Sequence, residues 1–438
     1  MKRTKRILLG LACLALLVAS WAAAAGAKSG ADRQRELMGE AKAYTDDGIY
    51  ILAVPLLEEA AGYQDDYTLE AEAALKAVYL NLAEKGDFER RYTSLLDRQM
   101  ARKDAAPEIF QEAARYYLEK DKTADALSAL RDGIAKTGSE DLTELYEKSR
   151  YAFTLSRDFY QEASEIYKGT CRVALDGRWG LASSSGLLSI PCEYDKISAF
   201  DNDRAVVQKE GVISAVDQDN NRVALLHEEA EDFAAFAENR LALKTAEGWA
   251  LANGTFRTNG VVFEELGMYR DGYAPAKQNG KWGVVDNSGG EWLIEPQFDG
   301  VIQDELGSCG DPEALFVRQN GSVFLWRDGQ EAGGPYEDAR PFYDGWAAVK
   351  RNGKWGFIDP DGVEQISCRF DEARSFGQHL AAVRLGELWG YASLRGEVVI
   401  EPQFLEAKRF SGGNAPVRTE LGWQFITLLE YKGGGGLF

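Results

Sequence analysis

Apolar positions along the chain follow two different periods. Between residues 33 and 168 they recur every three to four positions, the spacing of one helix face, in a stretch rich in Ala, Leu, Glu, Lys and Tyr. Pro is confined there to Pro55 and Pro107, and Pro107 occupies a favourable first-turn position for a helix. From Cys171 onward the helical period ends. Short apolar runs alternate with Gly-containing turns, which predicts strands.

The helical stretch repeats itself. The layout Leu37, Ala41, Tyr44, Gly48, Ala53, Leu57 returns as Leu75, Tyr79, Leu82, Gly86, Phe88, Leu95 and as Phe110, Ala114, Tyr117, Asp121, Ala126, Leu130. A weaker fourth copy covers Tyr151, Asp158, Tyr160, Ala163 and Tyr167. The turn positions 48, 86, 121 and 158 are 38, 35 and 37 residues apart. Small residues at Ala41, Ala53 and Ala114 let paired helices approach, and Gly48 and Gly86 supply turns. The layout resembles the tetratricopeptide repeat, a helix-turn-helix unit. That resemblance implies a groove for peptides or partner proteins; a generic helical bundle has the same period.

The strand region also repeats, around a Trp-Gly pair. Ala276–Asp286 and Val349–Asp359 both read Asn-Gly-Lys-Trp-Gly, and Ala174–Leu181 is a third form. A second motif follows: Ile190–Asp195, Ile294–Asp299, Ile366–Asp371 and Ile400–Phe404. Aligned on the Trp, the units fall at Trp179, Ile213, Trp249, Trp282, Val323, Trp355, Trp389 and Trp423. The intervals are 34, 36, 33, 41, 32, 34 and 34 residues, and the long one holds Gly307–Pro312, expected to be a surface-loop insertion. Gly180, Gly283, Gly356 and Gly390 follow their Trp, whereas Ala250 and Gln424 replace the Gly. Asn352-Gly353 predicts a hairpin, and Asp359–Gly362 a second turn. No unit buries its own aromatic face, so stacking is required. The array resembles the WG-repeat family of bacterial surface and secreted proteins, over about 255 residues. The Trp row, tolerant of Ile213 and Val323, is read as core between units.

The expected fold is therefore α+β and multidomain. A basic and apolar segment spans 1–27, tetratricopeptide-like helices 31–168, an all-β WG array 170–430 and a Gly-rich tail 431–438. The short unit favours a curved stack over the alternative, a closed propeller.

Composition alters this picture in few places. Met1–Arg6 is basic, Ile7–Ala25 is apolar, and Ala25-Gly26-Ala27 matches a cleavage site. A signal peptide or an uncleaved anchor is expected, with the rest of the protein outside the cytoplasm and membrane contact through this segment only. The formal charge of -20 disfavours nucleic acid. Cys171, Cys192, Cys309 and Cys368 show no recurrent spacing, so disulfides and buried free thiols both remain open.

Chemistry-bearing motifs are scarce. His227 and His379 lie in different units, and no nucleophile elbow, zinc helix or phosphate loop occurs. Asp286, Asp359 and Asp371 sit at repeat positions and read as turn or cap residues. Asp217–Asn221 resembles the start of a calcium loop but lacks its Gly and distal Glu. No catalytic residue, cofactor or metal is expected. Trp292, Trp326, Tyr343 and Trp346 stand outside the Trp row as candidate ligand contacts, although most such aromatics are core. The expected role is non-catalytic binding or scaffolding at the bacterial cell envelope, with a protein partner. Binding of cell-wall glycan is the first alternative, and a hydrolase or lyase the second. Any site is expected at residues that break the repeat.

Overall fold

A computed structural model describes residues 30–63, 65–226, 230–286, 290–311 and 313–430. The N-terminal segment, His227 and the Gly433–Gly436 tail lie outside the described residues. The chain separates into two compact units, Met1–Tyr146 and Glu147–Phe438.

The first unit is helical: α1 (residues 30–46), α2 (Tyr50–Gly62), α3 (Thr68–Asn81), α4 (Phe88–Ala101), α5 (Pro107–Glu119), α6 (Thr123–Thr137) and α7 (Glu140–Ser149). Three hairpins turn where the sequence predicts, because Gly48, Gly86 and Asp121 all have positive φ. Pro107 opens α5, and left-handed Gly138 ends α6. Gly133 lets α6 approach its neighbours, since a Cβ there would stand 2.7 Å from Phe110 and Leu142. The fourth helical copy does not exist. Phe153–Leu155 and Glu162–Tyr167 are strands, and Tyr160, Ala163 and Tyr167 are buried in the β unit instead. Among the described residues, no helix is long and apolar enough to cross a membrane.

Among the described residues, the second unit has eight antiparallel sheets, seven of four strands and one of three. They form blades 1 (162–194), 2 (196–225), 3 (232–252), 4 (265–298), 5 (300–336), 6 (338–370), 7 (372–404) and 8 (406–428). Blade 8 takes its fourth strand from the other end of the unit. Phe153, Thr154 and Leu155 pair with Leu428, Thr427 and Ile426.

Each seam between neighbouring blades has its own apolar cluster, including the seam from blade 8 back to blade 1, where Trp423 and Phe425 meet Tyr160, Ile166 and Val173. The ring is closed. This eight-bladed propeller corrects the preference for a curved stack. A unit of some 34 residues suffices because the hairpin turns are minimal, as at Asn352-Gly353, where both φ are positive.

The Trp-Gly pair and the Ile-x-x-x-Phe motif explain each other. In blade 6, Trp355 pairs with Phe370 and Phe357 with Ile366, so the fourth strand bulges over Gly356. A Cβ on Gly180, Gly283, Gly356 or Gly390 would lie 2.3–2.5 Å from the carbonyl oxygen of Ile190, Ile294, Ile366 or Ile400. The Gly is lost where the fourth strand differs. Blade 3, with Ala250, has only three strands. Blade 8, with Gln424, uses the closing strand, and Gln424 Nε2 donates to the Ser156 carbonyl at 2.7 Å. In blade 5, Phe324 takes the position and Gly334 provides the clearance from the facing strand.

Candidate functional site

First strands from several blades converge on a central channel, and their side chains meet across it. Glu165 of blade 1 accepts from Arg409 of blade 8 at 2.9 Å, and both side chains are about nine-tenths buried. Glu305 of blade 5 accepts from Lys408 Nζ at 2.7 Å and lies 3.5 Å from Arg374 of blade 7. The Tyr343 hydroxyl of blade 6 donates to Asp304 at 2.5 Å and accepts from Arg270 of blade 4 at 2.9 Å. The Arg409 guanidinium covers the Tyr343 ring at 3.6 Å.

Tyr343 therefore lines two spaces. One, of about 310 Å³, is bounded by Glu165, Asp304, Glu305, Arg340 and Arg374. The other, of about 340 Å³, includes Lys168, Glu238, Arg270, Asp344 and Arg409. Part of the channel wall is apolar, where Ala199, Ala235 and Ala237 pack with Tyr167, Met268 and Leu306.

Electrostatics follow from this crowding. Burial pushes the Glu165 carboxyl up, against the pull of Arg409. Burial also opposes ionisation of Glu305, but Lys408 and Arg374 outweigh it and hold that carboxyl below its ordinary value. Burial raises the Tyr343 hydroxyl, and Asp304 adds to the effect. These contacts occupy all three carboxylates with cations or a hydroxyl.

The insertion in blade 5 is not wholly a surface loop, which corrects the sequence expectation: Asp311 is exposed, but the residues before it turn inward. Leu306, Ser308 and Cys309 are buried. Asp304 Oδ1 accepts N–H bonds from Leu306 and Ser308, both at 2.9 Å, and the Gly307 carbonyl accepts from Met268 of blade 4 at 2.8 Å. The backbone turns inward because its polar groups find partners there.

The matched stretches of a family described as WG containing repeat are residues 179–212, 261–282, 282–303, 336–355, 355–389 and 389–420. All of these stretches lie within the β unit. The unmatched stretch between 212 and 261 holds the units that carry Ile213 and Ala250. No curated protein matches the sequence. Among solved structures, this chain is similar to the extracellular domain of a hybrid two-component system from B. thetaiotaomicron, at 11% identity and TM-score 0.34, covering 58% of this chain and 45% of that one. The chain thus spans less than half of that relative's length. It is also similar to the Neurospora crassa Pan2 WD40 domain, at 11% identity and TM-score 0.31, covering 53% and 88%.

The WG tryptophans sit in or beside the seams between blades. Trp355, Trp389 and Trp423 are buried, while Trp179, Trp249 and Trp282 are half-buried. Of the four candidate contact aromatics, only Tyr343 reaches the channel. Trp292 packs on Phe263 at 5.6 Å, Trp326 on Phe298 at 4.9 Å and Trp346 on Phe376 at 5.6 Å, in three different seams. His379 lies at a turn of blade 7, where its N–H donates to Asp344. Asp217 Oδ1 folds a local turn by accepting from Asp219 and Asn221 at 3.0 and 2.8 Å. The four described cysteines are free, and burial pushes the Cys171 and Cys309 thiols up to about 12.

Sequence reasoning missed the channel residues Glu165, Asp304, Glu305, Arg340, Arg374, Lys408 and Arg409. Part of the signal was present. Arg340, Arg374 and Lys408 are spaced 34 residues apart, and each stands the same distance before its Trp. Each cation also lies over that Trp, at 4.4, 5.3 and 4.8 Å from the ring centre.

Proposed function

We propose that this chain is a non-catalytic binding and scaffold protein of the bacterial cell envelope, exported or held by its N-terminal segment, with the central channel as its recognition site. The observation that carries the reading is the origin of the polar half of that channel. Its acids come from residues that depart from the repeat, above all Asp304 and Glu305 beside the blade 5 insertion. A structural spacer needs only the repeated residues, whereas a buried charge at a non-repeated position, as at Glu165, is costly without a further role. The helical hairpins, read as tetratricopeptide-like, would offer a second surface to a protein partner.

A glycan-binding module receives less support. Three of the four candidate aromatics are packed in seams, and the Tyr343 face is covered by Arg409. The test immobilises the full chain and a Glu305→Gln variant and probes both with purified envelope proteins and with peptidoglycan fragments. Capture of a protein that weakens at least tenfold in the variant is the expected result. Binding of glycans alone would overturn the scaffold reading. Turnover abolished by Glu165→Gln with folding intact would make the protein an enzyme.

A further inference from the structure

We infer that a pocket beside the channel, on blades 6 and 7, is an oxyanion site that takes a carboxylate or phosphate group. The inference rests on the binding reading above and names the ligand chemistry. The pocket holds about 300 Å³ and is lined by Arg340, Glu372, Arg374, Arg384 and Trp389. Three guanidinium groups and one carboxylate line it, and Arg340 is already engaged, donating to Glu372 and to Asp338, both at 3.1 Å.

The remaining cationic capacity is specific. Arg384 makes no ion pair among the described residues; its Nη1 donates to the Gly386 carbonyl at 2.7 Å. Asp371, the neighbouring carboxylate that feels Arg384, is taken up by Lys354 and by the Gly386 N–H. Arg374 uses its terminal nitrogens on Glu305 and Glu406, while its Nε is buried without a partner. Trp389 fixes the plane of Arg374 at 5.3 Å, and Trp355 that of Arg340 at 4.4 Å. Fixed planar forks are the geometry that binds carboxylate and phosphate bidentately.

Two further observations favour a ligand over a structural role. At the position of Arg340 and Arg374, blades 1 to 5 have Ser164, Ser198, Ala234, Gly267 and Ile302, so the fold does not need a cation there. In a chain of formal charge -20, Arg384 is the pocket's cation that makes no ion pair among the described residues, and it is the group left to meet an anion. Arg340 and Arg374 also line the channel cavity, so the pocket shares two residues with the proposed recognition site.

The experiment titrates the full chain with inorganic phosphate and, separately, with citrate, at constant ionic strength held with sodium chloride. A saturable calorimetric signal with one or both anions is expected, and which one responds identifies the oxyanion. Arg384→Gln should weaken binding at least tenfold, with Arg384→Lys in between. The Arg384 Nε–H resonance of the unaltered chain should shift in step with saturation, a readout that survives if the variant fails to fold. Absence of a saturable signal, or an Arg384 resonance that does not move, overturns the inference. Because the scaffold test reads Glu305-dependent capture of a protein, the two readings fail separately.

Discussion

At the residue scale, the Trp and the Gly of each repeat meet different demands. Trp355 is 1% exposed and packs with Phe357, Phe370 and Phe376 across the seam between blades 6 and 7. Its replacement by Ala leaves a cavity that the surrounding blades are too constrained to fill, at a cost of about 3–5 kcal/mol. The urea midpoint of Trp355→Ala should fall accordingly, and an unchanged midpoint would mean that the ring does not support the seam. Gly390 is constrained by space rather than by conformation, because an added Cβ would lie 2.3 Å from the Ile400 carbonyl oxygen. Gly353 is the opposite case, with open space around it and φ +74°. Gly390→Ala should therefore displace the fourth strand and cost more than Gly353→Ala, for which about 1 kcal/mol of backbone strain is expected. Thermal melts of the two variants side by side check the order.

At the scale of the blade, the Asp that closes the Ile-x-x-x-Phe motif ties neighbouring units together. Asp371 accepts from Lys354 of its own repeat and from the Gly386 N–H of the next at 2.8 Å. Asp299 does the same with Lys281 and the Asn320 N–H. These bonds hold both carboxyls below their ordinary value. A folded pKa below the unfolded one gives stabilisation that is complete above the unfolded Asp value of about 3.9 and is lost as pH falls through the folded value. Asp371→Asn should therefore lower the urea midpoint at pH 7, and the gap to the unaltered protein should close as the pH is taken below about 4.

The repeat period, the hairpin turns and the helical turns at Gly48, Gly86 and Asp121 were all legible in the sequence, because each rests on local backbone demands. Placement of Tyr160, Ala163 and Tyr167 was not, since their spacing suits a helix while their partners lie in strands remote in sequence. The channel was legible only in part. The spacing of Arg340, Arg374 and Lys408 is visible once sought, but Glu165 meets Arg409 solely because the ring closes.

At the scale of the whole molecule, closure joins the apolar seam between blades 8 and 1 to a strand of three residues. Phe153–Leu155 cover the edge that Ile426 and Leu428 would otherwise present. A chain beginning at residue 158 should lose cooperativity relative to one beginning at Glu147 and should self-associate through the exposed edge. Denaturation curves and light scattering after size-exclusion chromatography measure both effects. A peptide covering residues 150–160, added in trans, should restore the monomer.

The same closing strand sets an order of events during synthesis. It is made before any blade, and its partner is the last strand of the last blade. The segment therefore waits while a loop on the order of 270 residues is made and folded, which is the slow, non-local kind of closure. A message that terminates ahead of Gly422 would yield seven assembled blades and an unsealed ring, with a fault near the C-terminus appearing as two exposed edges.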